Sequence, residues 1–451
     1  YVQLTEGGPL PPISAHTQTF PCAAPDCVGL ENPVLPWAVC IAGIGQGTQA
    51  HANADGSVTL NAAVVSASTL TLVYGLGSDA ASAQQAVMHL RALDHAMPAP
   101  EITEQDADPL EARAWRYTHL CSVPVSDDST CLLTDHMILP LSWNRDAYYA
   151  ARLLVSDPQH FETVRRHLVW MFETAERVNG LWGRSYLANG RVKDRGFQLD
   201  QQLFPLLELA DYVQITGDAG ALERFKPQIA PLFDRLTAYR APHALLFATD
   251  ETPADDPIAL PYPLSSHVLL WRVLDQLGAL GCADQLPLTP EAVAASIRAH
   301  FVATPEASTA PIYAYATDGR GQHHFYHDAN DIPLVLMPAW GFCAPDDPLW
   351  QATIAFSFSP ANTEGYYDPA LGSVHTRAPW PLGDVQEWIV ARLTGDADRQ
   401  QAAIRRLRFA AQWDGALPEA YDGATGAVIS RNWFLWPSAA YACVKNGAFD
   451  R

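Results

Sequence analysis

The feature of this sequence that most constrains its fold is a set of helical segments that are apolar on nearly every side. Val268-Leu269-Leu270-Trp271 and the run 332–337 leave no polar face, so the helices that contain them must be enclosed by other parts of the chain. About a dozen helices are predicted after residue 115, joined by alternating short and long loops. They span residues 144–155, 158–178, 201–216, 219–239, 263–280, 290–302, 331–342, 348–356, 381–394, 396–412 and 433–444.

Two concentric layers of helices are the simplest arrangement that encloses so many apolar helices. An (α/α)6 barrel encloses its inner helices and gathers its longer loops at one rim, whereas a stacked-repeat solenoid is the competing helical fold. A solenoid requires self-similarity at a fixed period of about 34–45 residues, and the sequence shows none. The sequence therefore predicts a mainly α fold built on an (α/α)6 barrel.

The N-terminal part of the chain has a different character. Between about Gly47 and Tyr74, β-branched residues alternate with others at 57–60, 63–65 and 69–74, which is typical of a small antiparallel sheet. A helix is predicted over 82–93, and the proline- and acid-rich stretch 97–115 is expected to be a linker. We therefore predict a small antiparallel β-rich N-terminal domain over 1–100, preceding the barrel domain over 115–451.

Composition limits the partners of the chain. Acidic residues outnumber basic ones by 49 to 28, which gives a formal net charge of −21; nucleic acids and anionic membranes both require a basic footprint and are disfavoured. No apolar run reaches the roughly 18–20 residues of a membrane span. The start of the sequence lacks the basic and apolar regions of a signal peptide, so a cytoplasmic location is expected, with a secreted form that has been processed as the alternative.

The eight cysteines do not suggest a metal site. They form no C-x-x-C pair and no Cys/His cluster with zinc spacing, so no metal or other cofactor is predicted. Most are expected to be buried small apolar side chains. A local bridge between Cys22 and Cys27 is the alternative for that pair.

One stretch, from Trp413 to Trp436, combines a carboxylate with an arginine and several indoles. Glu419 stands in a loop marked by two Asp-Gly turns and Pro418, and Arg431 and Trp433 follow it. Such a group suits a sugar, whose hydroxyls bind charged partners and whose C–H faces bind aromatic rings. A solvated loop glutamate followed by a helix with an aromatic core face is the structural alternative.

Four further groups of chemically capable residues stand at predicted loops or helix starts. Each also has a structural interpretation: a helix-dipole ion pair for Arg145 and Asp146, a helix cap for Asp200, and loop bracing for His375 or Glu364. Three polar residues opening the apolar helix at 332 favour a binding role for Asp328 and Asn330. The candidate residues in these groups are Trp143, Arg145, Asp146, Asp200, Asp328, Asn330, His375 and Trp380.

Two carboxyls and a sugar pocket together support glycoside hydrolysis. One carboxyl donates a proton to the leaving oxygen, and the other deprotonates water or attacks the anomeric carbon. Asp200, enclosed by Phe197 and Phe204, is the candidate proton donor. The sequence has no G-x-S-x-G elbow, no H-E-x-x-H, no P-loop and no G-x-G-x-x-G after a strand.

The order of these motifs resembles glycoside hydrolase family 125, the metal-independent exo-acting α-mannosidases. The matching segments are W-N-R-D at 143–146, D-Q-Q-L-F-P at 200–205, D-A-N at 328–330, S-P-A-N at 359–362, G-S-V-H-T at 372–376, W-P-L at 380–382, P-E-A-Y at 418–421 and R-N-W-F-L-W at 431–436. The resemblance implies an (α/α)6 barrel, inversion of configuration, no metal, Glu419 as base and Asp200 as acid.

The chain departs from the family pattern at three places. The family has paired aspartates after an Arg-Pro-Ser run, whereas here Phe197-Gln198-Leu199 precedes the single Asp200. Pro418 stands where the family usually has His before its glutamate. The N-terminal strand region resembles the β-domain that precedes the barrel in glucoamylase-type and family 63-type enzymes.

The resulting hypothesis is an exo-acting, inverting α-glycosidase that releases a terminal monosaccharide, with mannose favoured, from a small or oligosaccharide substrate. Asp200 is the acid and Glu419 the base. An α-glucosidase or a hydrolase of a small glucosylated solute on the same barrel is the enzymatic alternative, and a non-catalytic carbohydrate-binding protein is the alternative of another class. The residues expected to bind the sugar are Trp143, Arg145, Asp146, Asp328, Asn330, His375, Trp380, Arg431 and Trp433.

Overall fold

The structure is a computed structural model of the 451-residue chain. It describes residues 18–20, 22, 27–32, 37–44, 49–53, 58–61, 71–94, 108–306 and 310–449. The chain divides into two compact units, one formed by Val2–Gln105 and the other by Asp106–Arg451 together with Tyr1. Each unit is described by itself.

The first unit contains an antiparallel sheet and one helix. Strands β1, β2, β3 and β6 form a four-stranded sheet in the order β1-β2-β3-β6, β4 pairs with β5, and α1 packs on the sheet through Ala83 and Val87. The antiparallel sheet and the helix predicted over 82–93 are confirmed, whereas the predicted strand at 63–65 lies outside the described residues. The elements are β1 (Gln18–Phe20), β2 (Cys27–Asn32), β3 (Trp37–Ile44), β4 (Gln49–Ala52), β5 (Val58–Asn61), β6 (Thr71–Gly77) and α1 (Ala80–Asp94).

The second unit is mainly helical. Its helices are α2 (Pro109–Leu120), α3 (Asn144–Leu154), α4 (Phe161–Val169), α5 (Leu199–Thr216), α6 (Ala219–Phe225), α7 (Ile229–Leu236), α8 (Leu264–Ala279), α9 (Pro290–His300), α10 (Ile332–Val335), α11 (Pro348–Ser357), α12 (Pro381–Thr394), α13 (Ala397–Ala410) and α14 (Leu435–Lys445).

Helix boundaries follow local chemistry. The Asp108 carboxylate accepts a hydrogen bond from the Leu110 N–H at 3.1 Å and Pro109 occupies the first turn, which together start α2. The linker predicted over 97–115 is therefore wrong from residue 109 onward. Three predicted helices also differ: α10 ends at Val335, α4 covers only Phe161–Val169 of the segment predicted over 158–178, and the segment predicted over 219–239 is split between α6 and α7.

Six helices contact one another in a closed cycle. Along the chain α3 contacts α5, α5 contacts α8, α8 contacts α10, α10 contacts α12 and α12 contacts α14, and α14 in turn contacts α3. All residues of α3 and most of α5 are buried, as apolar or enclosed helices require. Among the other helices, α2 packs on α14, α4 on α5, α9 on α8 and α13 on α12.

Short antiparallel pairings brace the loops between the helices. The short strands are β7 (Ser122–Ser126), β8 (Ser129–Leu132), β9 (Arg177–Val178), β10 (Leu181–Trp182), β11 (Ser185–Tyr186), β12 (Val192–Asp194), β13 (Tyr262–Pro263), β14 (Val302–Ala303), β15 (Ile312–Tyr313), β16 (Ala316–Thr317), β17 (His323–His324), β18 (Tyr366–Tyr367), β19 (Ala370–Ser373), β20 (Ala378–Pro379), β21 (Ala420–Tyr421) and β22 (Val428–Ser430).

Within the described residues, no helix has both the length and the apolar character that crossing a bilayer needs.

Candidate active site

A pocket gathers most of the residues that the sequence singled out. Its cavity volume is about 70 Å³, which is smaller than the roughly 300–1,000 Å³ of typical small-molecule sites. Eight predicted residues line it: Trp143, Arg145, Asp146, Asn330, His375, Trp380, Glu419 and Arg431. The other lining residues are Leu139, Pro253, Ala254, Asp255, Phe434 and Trp436.

Glu419 is held at the start of a hairpin. Its backbone N–H donates to the carbonyl oxygens of Ser430 and Arg431, immediately before β21 pairs with β22. The Ser430 hydroxyl donates to Glu419 Oε2 at 2.6 Å, and Arg431 Nη1 lies 3.4 Å from Oε1. Glu419 is only 8% exposed, so its carboxylate faces the pocket rather than bulk solvent.

Arg431 is fixed from several directions. It adopts a left-handed backbone conformation with φ 54°, which is uncommon for a residue other than glycine. Its Nε donates to Asp135 Oδ2 at 3.0 Å, and its guanidinium lies over the rings of Phe434 and Trp143 at 4.5 and 5.7 Å. Nη2 is buried and has no hydrogen-bond partner in the protein.

Arg145 lies among three carboxylates at the start of α3. Its Nη1 is 2.9 Å from Asp200 Oδ2, its Nη2 is 3.4 Å from Asp255 Oδ1, and its Nε is 3.6 Å from Asp146 Oδ1. Burial alone would lower the pKa of Arg145, but the three carboxylates raise it above its ordinary value. One buried cation thus organises three acids around the pocket.

Asp146 is a buried carboxyl, one oxygen of which has an ion-pair contact with Arg145 but no hydrogen-bond partner. Burial raises its pKa to about 6, although Arg145 and a hydrogen bond from Thr134 both oppose that shift. Thr134 donates to Oδ2, and Oδ1 has no hydrogen-bond partner. Asp146 itself is one of the residues that line the pocket.

Asp200, the predicted acid, is not among the residues that line the pocket. It lies in the first turn of α5, where the cap position is Gln198 and carries no side-chain cap bond, so the helix-cap interpretation is wrong. Its Oδ2 is held by Arg145 at 2.9 Å and its Oδ1 accepts the Gln201 N–H. Burial raises its pKa and the neighbouring Arg145 lowers it, with a net shift upward.

Asp255 is a pocket carboxyl that the sequence analysis missed. It has φ 65°, and its Oδ2 accepts the Trp143 indole N–H at 3.1 Å. Its Oδ1 accepts from Gln198 at 2.7 Å. The available signal was the pair Asp255-Asp256 after Thr252-Pro253-Ala254, which matches the paired aspartates of the resembling family more closely than the single Asp200 does.

Asp328 is buried behind the pocket rather than lining it. It accepts hydrogen bonds from the Tyr326 and Ser373 hydroxyls and, at 2.6 Å, from the Asn330 amide. Burial raises its pKa. Asn330 does line the pocket, so Asp328 acts on the site by orienting Asn330.

Of the predicted aromatic walls, two are in place and one is not. Trp143 and Trp380 line the pocket, whereas Trp433 does not: its indole donates to Asp414 at 3.1 Å and its ring contacts His136. Phe434 and Trp436 line the pocket instead. The sequence could not distinguish these three aromatic residues, because they lie at the junction between the loop and α14.

His375 joins two loops at the pocket. Its Nδ1 lies 3.2 Å from Asp256 Oδ1. That hydrogen bond, together with the negative charge of Glu419, raises the pKa of His375 despite its partial burial. Within the described residues, the grouping of Cys, His, Asp and Glu close enough to hold a metal ion lies elsewhere, at Cys22, Cys27 and Cys40.

Comparison with known proteins bears on the fold and the family. Residues 242–444 match the family described as metal-independent alpha-mannosidase (GH125). The meiotically up-regulated gene 157 protein of Schizosaccharomyces pombe is 29% identical over 138 residues, which cover 29% of this chain and 26% of that protein. The match thus spans about a quarter of that curated relative.

Two solved structures share the fold. A metal-independent α-mannosidase of Streptococcus pneumoniae, in a non-productive substrate complex with α-1,6-mannobiose, has a TM-score of 0.62 at 20% identity, covering 76% of this chain and 93% of that chain. A bacterial glucoamylase complexed with acarbose has a TM-score of 0.58 at 14% identity, covering 94% of this chain and 73% of that chain.

The family that matches residues 242–444 is a family of glycoside hydrolases, and the mainly helical fold is shared with two solved glycosidases. Residues 242–444 carry the domain of one particular family of that class, the metal-independent α-mannosidases of family 125. The resemblance seen in the sequence is therefore confirmed.

Proposed function

We propose that this chain is an exo-acting, inverting α-glycoside hydrolase that releases a terminal mannose from a small or oligosaccharide substrate. The observation that carries the proposal is that three carboxyls, Glu419, Asp255 and Asp146, line one pocket with two arginines and three indoles. The closed cycle of helices from α3 to α14 supports an (α/α)6 barrel, and the unit from residue 106 onward is proposed as the catalytic domain.

Glu419 acts as the general base in this mechanism. Inversion requires a water between the base and the anomeric carbon, and the two carboxyls then stand about 6.5–9.5 Å apart. Ser430 and Arg431 orient the Glu419 carboxylate toward the pocket. The water loses its proton to Glu419 as its oxygen bonds to the anomeric carbon and the glycosidic bond breaks.

Asp255 is proposed as the general acid in place of Asp200. Asp255 lines the pocket, and its side chain is 22% exposed. Asp200 is only 7% exposed at its side chain and lies 2.9 Å from Arg145 Nη1, whereas Asp255 lies 3.4 Å from Arg145 Nη2. A proton donor must reach the leaving oxygen, which Asp255 can do from the pocket wall. Asp200 then serves to position Arg145.

The remaining pocket residues bind the terminal sugar. Asp146, Asn330, Arg145, Arg431 and His375 offer hydrogen-bonding groups for its hydroxyls. Its apolar faces pack on the indole walls of the pocket, Trp143, Trp380 and Trp436.

The acid assignment is tested by comparing Asp255→Asn with Asp200→Asn. Loss of the acid should lower kcat on α-mannobiose about 10²–10⁴-fold but leave α-mannosyl fluoride hydrolysis nearly intact, because fluoride departs without a proton. Asp255→Asn should show this split, and Asp200→Asn should lower the rates on both substrates to a similar degree. The opposite pattern would return the acid role to Asp200.

The sugar and the stereochemistry are tested separately. Aryl α-mannoside, α-glucoside and α-galactoside are offered to the wild-type chain, and proton NMR follows the first anomer released. We expect the mannoside to be cleaved fastest and to give β-mannose first. Faster cleavage of the glucoside supports the glucosidase alternative, a first α-anomer rejects inversion, and binding without turnover supports a carbohydrate-binding protein.

A further inference from the structure

Three cysteine sulfurs converge in the N-terminal unit. Cys40 Sγ lies 2.8 Å from Cys27 Sγ and 3.3 Å from Cys22 Sγ, and the three sulfurs all lie within 4.8 Å of one another. None of these three cysteines forms a disulfide in the structure. The local bridge suggested for Cys22 and Cys27 is therefore absent from the structure, and both sulfurs instead approach Cys40.

The strand register explains this convergence. Cys27 of β2 stands opposite Ala42 of β3, and Cys40 lies two residues from Ala42 on the same face of the sheet. Cys27 and Cys40 are thus diagonal cross-strand neighbours.

The residue directly opposite Cys40 is Gly29, which places no side chain beside the sulfurs. A Cβ at Gly29 would overlap the ring of Phe20. Phe20 ends β1, and Cys22 follows it after one residue, so the same approach of β1 that covers Gly29 brings the third sulfur to the group.

The surroundings of the sulfurs are apolar. Cys40 is fully buried in a cluster with Ala38, Ala42, Ala83 and Val87, and Phe20, Cys22 and Cys27 pack against that cluster. Burial raises the pKa values of Cys22 and Cys40 to about 11.

We propose that Cys22, Cys27 and Cys40 form a binding site for a thiophilic closed-shell metal ion, Zn²⁺ or Cu⁺. Converging thiolates are the donor set that both ions prefer. A disulfide would use Cys40 with only one of its two neighbours, whereas a metal ion uses all three sulfurs. The spacing C-x4-C-x12-C hides this site in the sequence, since it is the pairing of β2 with β3 that joins its parts.

Metal binding at these sulfurs releases protons. Each thiol loses its proton to solvent as its sulfur bonds to the metal, so three protons leave per ion. Zn²⁺ then completes four-coordination with a water, and Cu⁺ is satisfied by three thiolates. Zn–S bonds of about 2.3 Å hold tetrahedral sulfurs about 3.8 Å apart, so the two closest sulfur pairs open by about 0.5–1 Å.

The test uses the full chain, reduced, stripped of metal and kept free of oxygen. It is titrated with ZnCl₂ and, in a separate arm, with Cu⁺, and bound metal is counted by mass spectrometry with chelator competition for affinity. We expect one equivalent per chain. Cys40→Ser should weaken binding by more than about 100-fold, because removing a ligand exceeds the 10–100-fold effect of losing an outer-shell partner.

Cys282→Ser is the matched control, because Cys282, like Cys40, is buried but lies in the other unit, and it should bind like the wild type. If Cys40→Ser does not fold, the half-buried Cys22→Ser takes its place with the same expectation. Unchanged binding in the folded Cys variant would overturn the proposal. So would freshly isolated protein that is metal-free and two hydrogens lighter, which indicates a disulfide.

Discussion

Glu419 depends on two neighbours for its orientation, the Ser430 hydroxyl and the Arg431 guanidinium. A glutamine at this position keeps the shape of the side chain but cannot take a proton from water. We expect Glu419→Gln to lower kcat about 10²–10⁴-fold with little change in KM, measured by steady-state kinetics on an aryl α-mannoside. Glu364→Gln is the control, since Glu364 has a 62% exposed side chain and does not line the pocket. A kcat for Glu419→Gln close to that of the control would remove the base assignment.

The raised pKa of His375 predicts that the stability of the protein depends on pH. Asp256, Glu419 and Asp255 all face it, and the hydrogen bond with Asp256 is the largest cause of its raised pKa. A raised folded-state pKa gives stability that is fully present below the unfolded value of about 6.5 and is lost as the pH rises through the folded pKa. The Tm difference between wild type and His375→Gln should thus be larger at pH 6 than at pH 8.5.

The Asp256→Asn background controls for other titrating groups. There, His375→Gln should have nearly the same effect at both pH values, because the main partner of the imidazolium has been neutralised. A Tm difference that does not change with pH in the otherwise wild-type chain would contradict the assignment.

Among the elements, the contact between α12 and β19 sets the position of the loop that carries His375 and Trp380. Gly383, in the first turn of α12, has no room for a side chain, because a Cβ there would overlap the carbonyl oxygen of Leu371 in β19. We expect Gly383→Ala to lower Tm and to lower kcat/KM at a temperature where the protein is fully folded. Gly278→Ala in α8 is the control: nothing lies within 4 Å of its added Cβ, so it should be neutral or stabilising by about 0.5–1 kcal/mol. Equal effects of the two substitutions would show that the α12–β19 contact is not needed.

Part of the candidate site could be predicted from the sequence, and part could not. The proximity of Glu419 and Arg431 could be predicted, because both lie in one short stretch marked by Gly and Pro. The proposal of Asp255 rather than Asp200 as the acid could not, since Arg145 contacts both carboxyls and only the three-dimensional structure shows which of them lines the pocket. Likewise, Cys40 meets Cys22 and Cys27 only through strand register. Local patterns predicted the helices, whereas contacts between distant segments decided which side chains meet.

On the scale of the whole molecule, the cycle of helices closes between parts of the chain that are far apart in sequence. Helix α14, near the C-terminus, contacts α3, and Trp436 lies at that junction. Its ring stacks on Tyr149 of α3 at 5.4 Å and lies 5.1 Å from the Arg145 guanidinium. The same indole therefore joins the two ends of the helical unit and forms a wall of the pocket.

Trp436→Ala should consequently damage both stability and binding. Trp436 is 1% exposed, and truncation of a buried tryptophan costs about 3–5 kcal/mol of unfolding free energy, which a urea titration followed by circular dichroism would measure. In the fraction that remains folded, KM should rise because a sugar-facing wall is lost. Trp413→Ala is the matched control, since Trp413 is 92% exposed and its removal should leave both quantities nearly unchanged. If the Trp436→Ala chain is as stable as this control, other contacts between α3 and α14 hold the cycle of helices closed. If stability falls but KM does not change, Trp436 supports the fold and does not contact the sugar.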